Sequence, residues 1–257
     1  MEHQISSAIV KGWFAKLQAH LQTDVVIVGA GPSGLVCAAE LAAKGIKTAV
    51  FEKKLAPGGG MWGGAMLFNQ IVVQTAAIPI LEKYGIGYFE ASPGIYLVDA
   101  VEATSALIYH AAKAGAAIFT GISVEDIIME NNAVSGVVIN WTPVSLTKMH
   151  VDPLTISAKA VLDGTGHPCE IVSILTNKNH VELDLPSKIV LYEKSMNAAE
   201  GEKACVEHTG AVYPGLFVSG MAACGVSGSN RMGPIFGGML LSGVKAAEII
   251  AGAISKG

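Results

Sequence analysis

The sequence is poor in charge and in cysteine motifs, and each scarcity removes a class of function. Only 15% of its 257 residues are charged and the formal balance is -4. No basic footprint is available for nucleic acid, so none is expected as a partner. The four cysteines, Cys37, Cys169, Cys205 and Cys224, are scattered and form no C-x-x-C pair. This argues against a disulfide or zinc framework and for a reducing, cytoplasmic compartment. The N-terminal segment, residues 1–23, lacks the charged-then-apolar layout of a signal peptide. The most apolar stretches, Val25–Val28 and Met239–Ile250, are shorter than a bilayer requires, and no membrane partner is expected.

What is abundant is apolar residues, at 51%, and glycine, with 30 residues. That mixture suits a soluble α/β enzyme with buried parallel strands and many tight turns. Ile5, Ile9, Val10, Trp13, Phe14, Leu17 and Leu21 recur at helical spacing. Residues 1–23 are therefore read as an amphipathic helix packed on its own domain or on a neighbouring subunit. Asp24–Val28, Ser33–Lys44 and Lys47–Phe51 follow as strand, helix and strand. Residues 55–70 are Gly- and Met-rich and predict a loop, with Met61 and Trp62 packing it or serving as a lid. Helices are predicted at Ile78–Tyr84, Val101–Ala114 and Met239–Ala251. Strands are predicted near Tyr88–Glu90, Tyr96–Val98, Ala116–Thr120, Leu154–Ala158, Ala160–Asp163 and Leu216–Ser219. Ser123–Met129 and Val134–Trp141, joined at Asn131-Asn132, read as an antiparallel hairpin. Residues 176–205 are more polar and carry no clear pattern. The expectation is one domain over 1–257, a Rossmann-like dinucleotide-binding α/β fold of the glutathione-reductase or flavoprotein type. An antiparallel β-sheet is inserted at about 121–160.

Gly29-x-Gly31-x-x-Gly34 lies between a predicted strand and a predicted helix, the context that makes it a dinucleotide fingerprint. The first glycine permits the turn, the second lets pyrophosphate approach, and the third brings helix and strand together. Glu52 ends the next strand, where a carboxylate accepts hydrogen bonds from ribose hydroxyls and repels a 2′-phosphate. Ser33, Lys53 and Gly60 complete the expected cofactor contacts. Val161–Gly166 reads as the strand and glycine turn that return to the same sheet. Gly215–Gly220 resembles the late strand that delivers an Asp to the ribityl chain in FAD enzymes, but Met221 stands where that Asp would be. Without that polar anchor FAD is weakened as a ligand. Read alone, the cradle suggests a dehydrogenase or an FAD-dependent oxidoreductase holding a reusable cofactor, and a non-catalytic NAD or ADP-ribose module is the other reading open here.

Several motifs bear on that choice. Gly58-Gly59-Gly60-Met61-Trp62-Gly63-Gly64, Asn140-Trp141-Thr142, His150-Val151-Asp152-Pro153 and Asn230-Arg231-Met232-Gly233-Pro234-Ile235-Phe236-Gly237-Gly238-Met239 resemble thiamine thiazole synthases, over nearly the whole chain. The resemblance implies that NAD is a substrate. Nicotinamide is lost, the exposed ADP-ribose carbons isomerise and condense with glycine, and sulfur entry with ring closure gives an ADP-linked thiazole carboxylate. These steps need proton transfers and a sulfur nucleophile but no hydride acceptor.

The resemblance also divides on the source of sulfur. The eukaryotic branch carries a donor cysteine two residues before the Asp-Pro pair and inactivates itself after one turnover. Here that position is His150, so the chain is similar to the branch that uses free sulfide with iron and turns over repeatedly. Cys169 is the residual candidate for a protein sulfur donor. The family's iron positions match Asp152 and His167, and with His150 these make the expected catalytic set. A carboxylate and a neutral imidazole suit Fe(II) and leave coordination sites open. Pro168 follows His167, where the eukaryotic branch has Asp. Arg231 matches the residue that grips the carboxylate of glycine and product, and Met232, Gly233 and Met221 are expected beside the substrate. His208 is read either as a site residue or as a structural one. The resemblance further implies a homo-oligomer, an octamer.

Overall fold

A strand buried on both faces is written as an unbroken apolar run, and Val25, Val26, Ile27 and Val28 are all buried. The structure is a computed structural model and describes residues 1–64 and 66–255. Helix α1 (Glu2–Ala19) precedes this run, which belongs to β1 (Gln22–Val28). The chain then turns into α2 (Pro32–Ala43) and returns as β2 (Thr48–Glu52), parallel to β1 with Val28 beside Phe51. The predicted β-α-β unit is present with its boundaries displaced by a residue or two.

The predicted loop 55–70 contains a short 3₁₀ turn, Met61–Gly63, and Ala65 lies outside the described residues. At its end a strand that sequence reasoning missed, β3 (Gln70–Gln74), buries Ile71 and Val73 in alternation. After α3 (Ile78–Lys83), β4 (Phe89–Ser92) and β5 (Ile95–Asp99) pair with it as a small separate sheet in the order β3-β5-β4. Asp99 caps α4 (Ala100–Ala114), its carboxylate accepting from the amides of Val101 and Glu102 at 2.8 Å.

Strand β6 (Ala117–Thr120) joins β2, and β7 (Ile122–Glu130) and β8 (Ala133–Trp141) form the predicted hairpin. A short helix, α5 (Thr142–Thr147), leads to β9 (Leu154–Asp163). Two strands were expected across the β9 span, and one is found. Lys159 reads as an interruption, but it occupies an outward position of the alternation and pairs with Asp24 at 2.9 Å. The first half of β9 pairs antiparallel with β8 and the second half parallel with β1. The inserted hairpin is thereby continuous with the main sheet.

Helices α6 (Glu170–Asn179) and α7 (Ala198–Glu207) overlap the two ends of the stretch 176–205, where no pattern was legible. Strands β10 (Gly210–Tyr213) and β11 (Leu216–Val218) complete an eight-stranded sheet whose main path runs β10-β11-β9-β1-β2-β6. A short helix, α8 (Met221–Ser227), follows β11. The last helix, α9 (Gly237–Ile254), corrects the reading of Met239–Ile250 as too short to span a membrane. Its 18 residues are long and apolar enough by length and composition alone. Half of that span is buried inside the protein, with Leu240, Ala246, Ala247 and Ile250 in the core that also holds Leu35 and Val36 of α2.

The start of α9 is held by a buried carboxylate. Glu202 Oε2 on α7 accepts from the Gly238 amide at 2.6 Å, while Glu202 Oε1 and Gln74 Oε1 are buried with no hydrogen-bond partner among the described residues. Burial raises the Glu202 pKa above its ordinary value. The folded state then binds this proton more tightly than the unfolded chain, and stability falls as pH rises from the usual carboxylate range through the raised value. Glu202→Gln keeps an acceptor for Gly238 and brings a donor towards Gln74. We expect it to flatten that fall and to add about 1 kcal/mol at neutral pH. Denaturant unfolding of both proteins, below and above the carboxylate range, checks this. A variant weaker than its parent at neutral pH contradicts it.

Candidate active site

The carboxyl ends of β1, β2 and β9 open into a cavity of about 930 Å³. Its floor is the turn after β1. The Gly29 amide donates to Phe51 O at 2.8 Å, and the Gly164 amide donates to Val28 O at 2.9 Å, locking three strand ends together. Gly29 has φ +94°, and a Cβ there would lie 2.5 Å from Gly164 O. A Cβ on Gly34 would lie 2.3 Å from Gly29 O, so this glycine lets α2 sit against the turn. Gly31 differs, because a Cβ there would meet no atom within 4 Å. The protein leaves that space open at the N-terminus of α2, where helix amides and dipole favour an anion.

Glu52 is buried at the cavity edge, its Oε2 accepting from the Ala30 amide at 2.9 Å and Oε1 from the Lys54 amide at 2.8 Å. Each oxygen keeps acceptor capacity for a further donor. Lys53 also lines the cavity and pairs with Glu170 at 2.5 Å. Gly60 lines it too, whereas Ser33 is buried behind the turn against Ser219 at 3.2 Å. The wall beyond Glu52 is built from Ile122 and Ser123 of β7 and from Thr142 and Ser145 of α5. Of those four, only Thr142 stood in a motif quoted from the sequence, and none was expected as a site residue.

The same cavity is also lined by His167, Arg231, Gly233 and Met221. His167 follows the β9 turn, and its Nδ1 lies 2.6 Å from Glu193 Oε2. The Arg231 backbone is fixed on both sides. Its amide donates to Lys194 O at 3.2 Å, and its carbonyl accepts from the Asn197 amide at 3.0 Å. Met221 starts α8 and presents a thioether where FAD enzymes place a carboxylate. Met232 points away from the cavity and is wholly buried in the core. Its contribution is to anchor the loop that carries Arg231.

The expected residues that are not brought in are His150 and Asp152. Both lie on the exposed stretch between α5 and β9, outside the cavity lining of their own chain. Among the described residues no cluster of three or more His, Cys, Asp or Glu forms a metal-type group. His208 caps the end of α7, exposed and away from the cavity. Cys169 is wholly buried, with Sγ 3.4 Å from Ala222 O, and burial pushes its thiol up to about 12. That is a packing environment rather than one for a sulfur nucleophile. Trp62 Nε1 donates to Pro57 O at 2.6 Å and Met61 is buried, so both pack the loop.

Known proteins resemble this chain over nearly its whole length. Residues 6–236 match the Thi4 family. A thiamine thiazole synthase of Thermococcus kodakarensis is 51% identical over 246 residues, 96% of each chain. One from Thermotoga maritima is 49% identical over 247 residues, again 96% of each. The crystal structure of Thermovibrio ammonificans THI4 superposes with a TM-score of 0.97 at 49% identity and covers 99% of both chains.

Proposed function

The chain belongs to the Thi4 family, the thiamine thiazole synthases of thiamine biosynthesis, and from that premise we propose that it makes an ADP-linked thiazole carboxylate from NAD, glycine and free sulfide, in an iron-dependent reaction that turns over repeatedly. The observation that carries this reading is a single cavity lined both by the dinucleotide cradle, Gly29, Gly31 and Glu52, and by His167 and Arg231. NAD laid along it puts pyrophosphate over Gly31 at the start of α2 and a ribose on Glu52. The other ribose, freed of nicotinamide, then reaches the end where Arg231 can grip the glycine carboxylate in two parallel hydrogen bonds. Fixed so, the amine approaches the ribose carbon it condenses with, which removes much of the entropic barrier.

The residues fit an iron ion as ligands drawn from two chains. His167 has Nδ1 engaged and leaves Nε2 for a metal. Asp152 supplies an exposed carboxylate, and we assign it to the cavity of a neighbouring copy in a homo-oligomer, an octamer by the family resemblance. Leu146, Met149 and Val151 flank it as exposed apolar residues that a second copy would cover. A bound divalent cation stabilises hydrosulfide and polarises the carbon it attacks. His150 carries no sulfur and Cys169 is packed away, which supports a sulfur drawn from solution. The four buried free thiols fit a cytoplasmic setting. An FAD-dependent oxidoreductase, the alternative open from the fold, lacks its flavin anchor at Met221.

The sulfur source is the sharpest test. After anaerobic incubation with NAD, glycine, sulfide and Fe(II), product should exceed enzyme in molar terms, and the intact protein mass should be unchanged. Loss of sulfur mass from the protein, with Cys169 converted to dehydroalanine, overturns the sulfide reading.

A further inference from the structure

The segment between α6 and α7 has no regular structure, yet it links the two reactive side chains of the cavity. The Leu191 amide donates to Val226 O at 3.3 Å and the Lys194 amide to Ser229 O at 2.9 Å. Asn230 Nδ2 reaches Ser195 O at 2.8 Å, and Lys194 and Asn230 form a parallel bridge. Glu193 sits between these anchors. The residue before it, Tyr192, is held at φ +57°, an unfavourable conformation for a bulky side chain. Tyr192 itself is exposed, whereas the Glu193 side chain is only 14% exposed and directs Oε2 onto His167 Nδ1 at 2.6 Å. The backbone accepts strain at a point where the gain is an inward carboxylate.

A carboxylate on Nδ1 settles which tautomer the imidazole adopts. Nδ1 carries the proton and donates it, so Nε2 presents its lone pair. The same bond fixes the ring plane of a residue that is itself half exposed and follows a glycine turn. We infer that Glu193 is a positioning residue for His167. It holds the imidazole as a metal-facing ligand and ties it to the rail of backbone that also fixes Arg231. This inference rests on the reading of His167 as an iron ligand.

The test is anaerobic equilibrium dialysis of Fe(II) against the full chain and three variants, His167→Ala, Glu193→Ala and Glu193→Gln. NAD affinity and the unfolding midpoint are measured on each. Glu193→Ala should weaken Fe(II) binding about 10- to 100-fold, with NAD affinity and midpoint unmoved. Glu193→Gln should fall between, because its amide oxygen still accepts from Nδ1 but brings no charge. Parent-like Fe(II) affinity in Glu193→Ala, with His167→Ala losing binding, overturns the role of Glu193 and leaves the iron site standing. An Ala variant that loses midpoint and NAD affinity together points to a structural role, and the Gln variant then decides. Parent-like Fe(II) affinity in a folded Glu193→Gln overturns the inference. If the parent fails to bind Fe(II), or His167→Ala binds it as the parent does, the iron reading fails and this inference falls with it.

Discussion

His167→Ala is expected to abolish iron-dependent thiazole formation while NAD binds as it does to the parent chain. The two halves of that result separate because different side chains are assigned to them. The cradle is formed by Gly29, Gly31 and Glu52, whose backbone and carboxylate contacts involve β1, β2 and α2. His167 lies on the turn after β9, and its recorded side-chain partner is Glu193. Removing the imidazole takes away one of only two protein ligands proposed for the metal. Metal stabilisation of developing charge supplies several kcal/mol. At 1.36 kcal/mol per tenfold, its loss lowers turnover on the order of a thousandfold or more. Single-turnover assays with NAD titration in parallel check both halves. Full activity in the variant removes His167 from the site, and joint loss of NAD affinity places it in the cradle instead.

Gly29→Ala is expected to be the most damaging conservative change in the cradle. At φ +94° a Cβ is strained whatever surrounds it, and here it would meet Gly164 O at 2.5 Å and Gly164 C at 2.9 Å. Those are backbone atoms of a turn hydrogen-bonded to β1, so no rotamer change relieves the contact. Strain and overpacking each cost about 1 to 3 kcal/mol, and their sum is a large share of the stability of a typical domain, about 5 to 15 kcal/mol. Gly31→Ala is the informative contrast. Its φ is -73° and its Cβ would meet nothing within 4 Å, so the fold should keep its unfolding midpoint. Binding of NAD should nonetheless fall, since the methyl occupies the space assigned to pyrophosphate. Unfolding midpoints and NAD titrations of both variants check this. A Gly29→Ala protein as stable as its parent contradicts the turn geometry, and a Gly31→Ala protein that binds NAD normally contradicts the cradle.

What could be read from sequence divides along a physical line. The β-α-β unit was legible because every signal in it is local: an apolar run, glycines at a fixed spacing, a helix stop at Gly45. Helix α6 was not, because its start is satisfied from a distance. Asp163 at the end of β9 accepts from the Ile171 and Val172 amides at 3.0 Å, replacing the cap that a sequence pattern would show. The strand β9 was divided in two because Lys159 looks like an interruption when only its neighbours are considered. Glu193 carried no signal, since an acidic residue in a polar stretch is ordinary until the fold places it beside His167. Asp152 marks the other limit. Its role follows from resemblance alone, and a single chain leaves it on the surface.

The central claim is that this chain consumes NAD and takes its sulfur from solution with the help of iron. The most direct measurement is anaerobic incubation of the chain with NAD, glycine and sulfide, with and without Fe(II), followed by mass spectrometry of the small molecules. The account predicts an ADP-linked thiazole carboxylate that accumulates beyond the molar amount of enzyme only when Fe(II) is present. Absence of that product in both mixtures, or equal accumulation without iron, would contradict it.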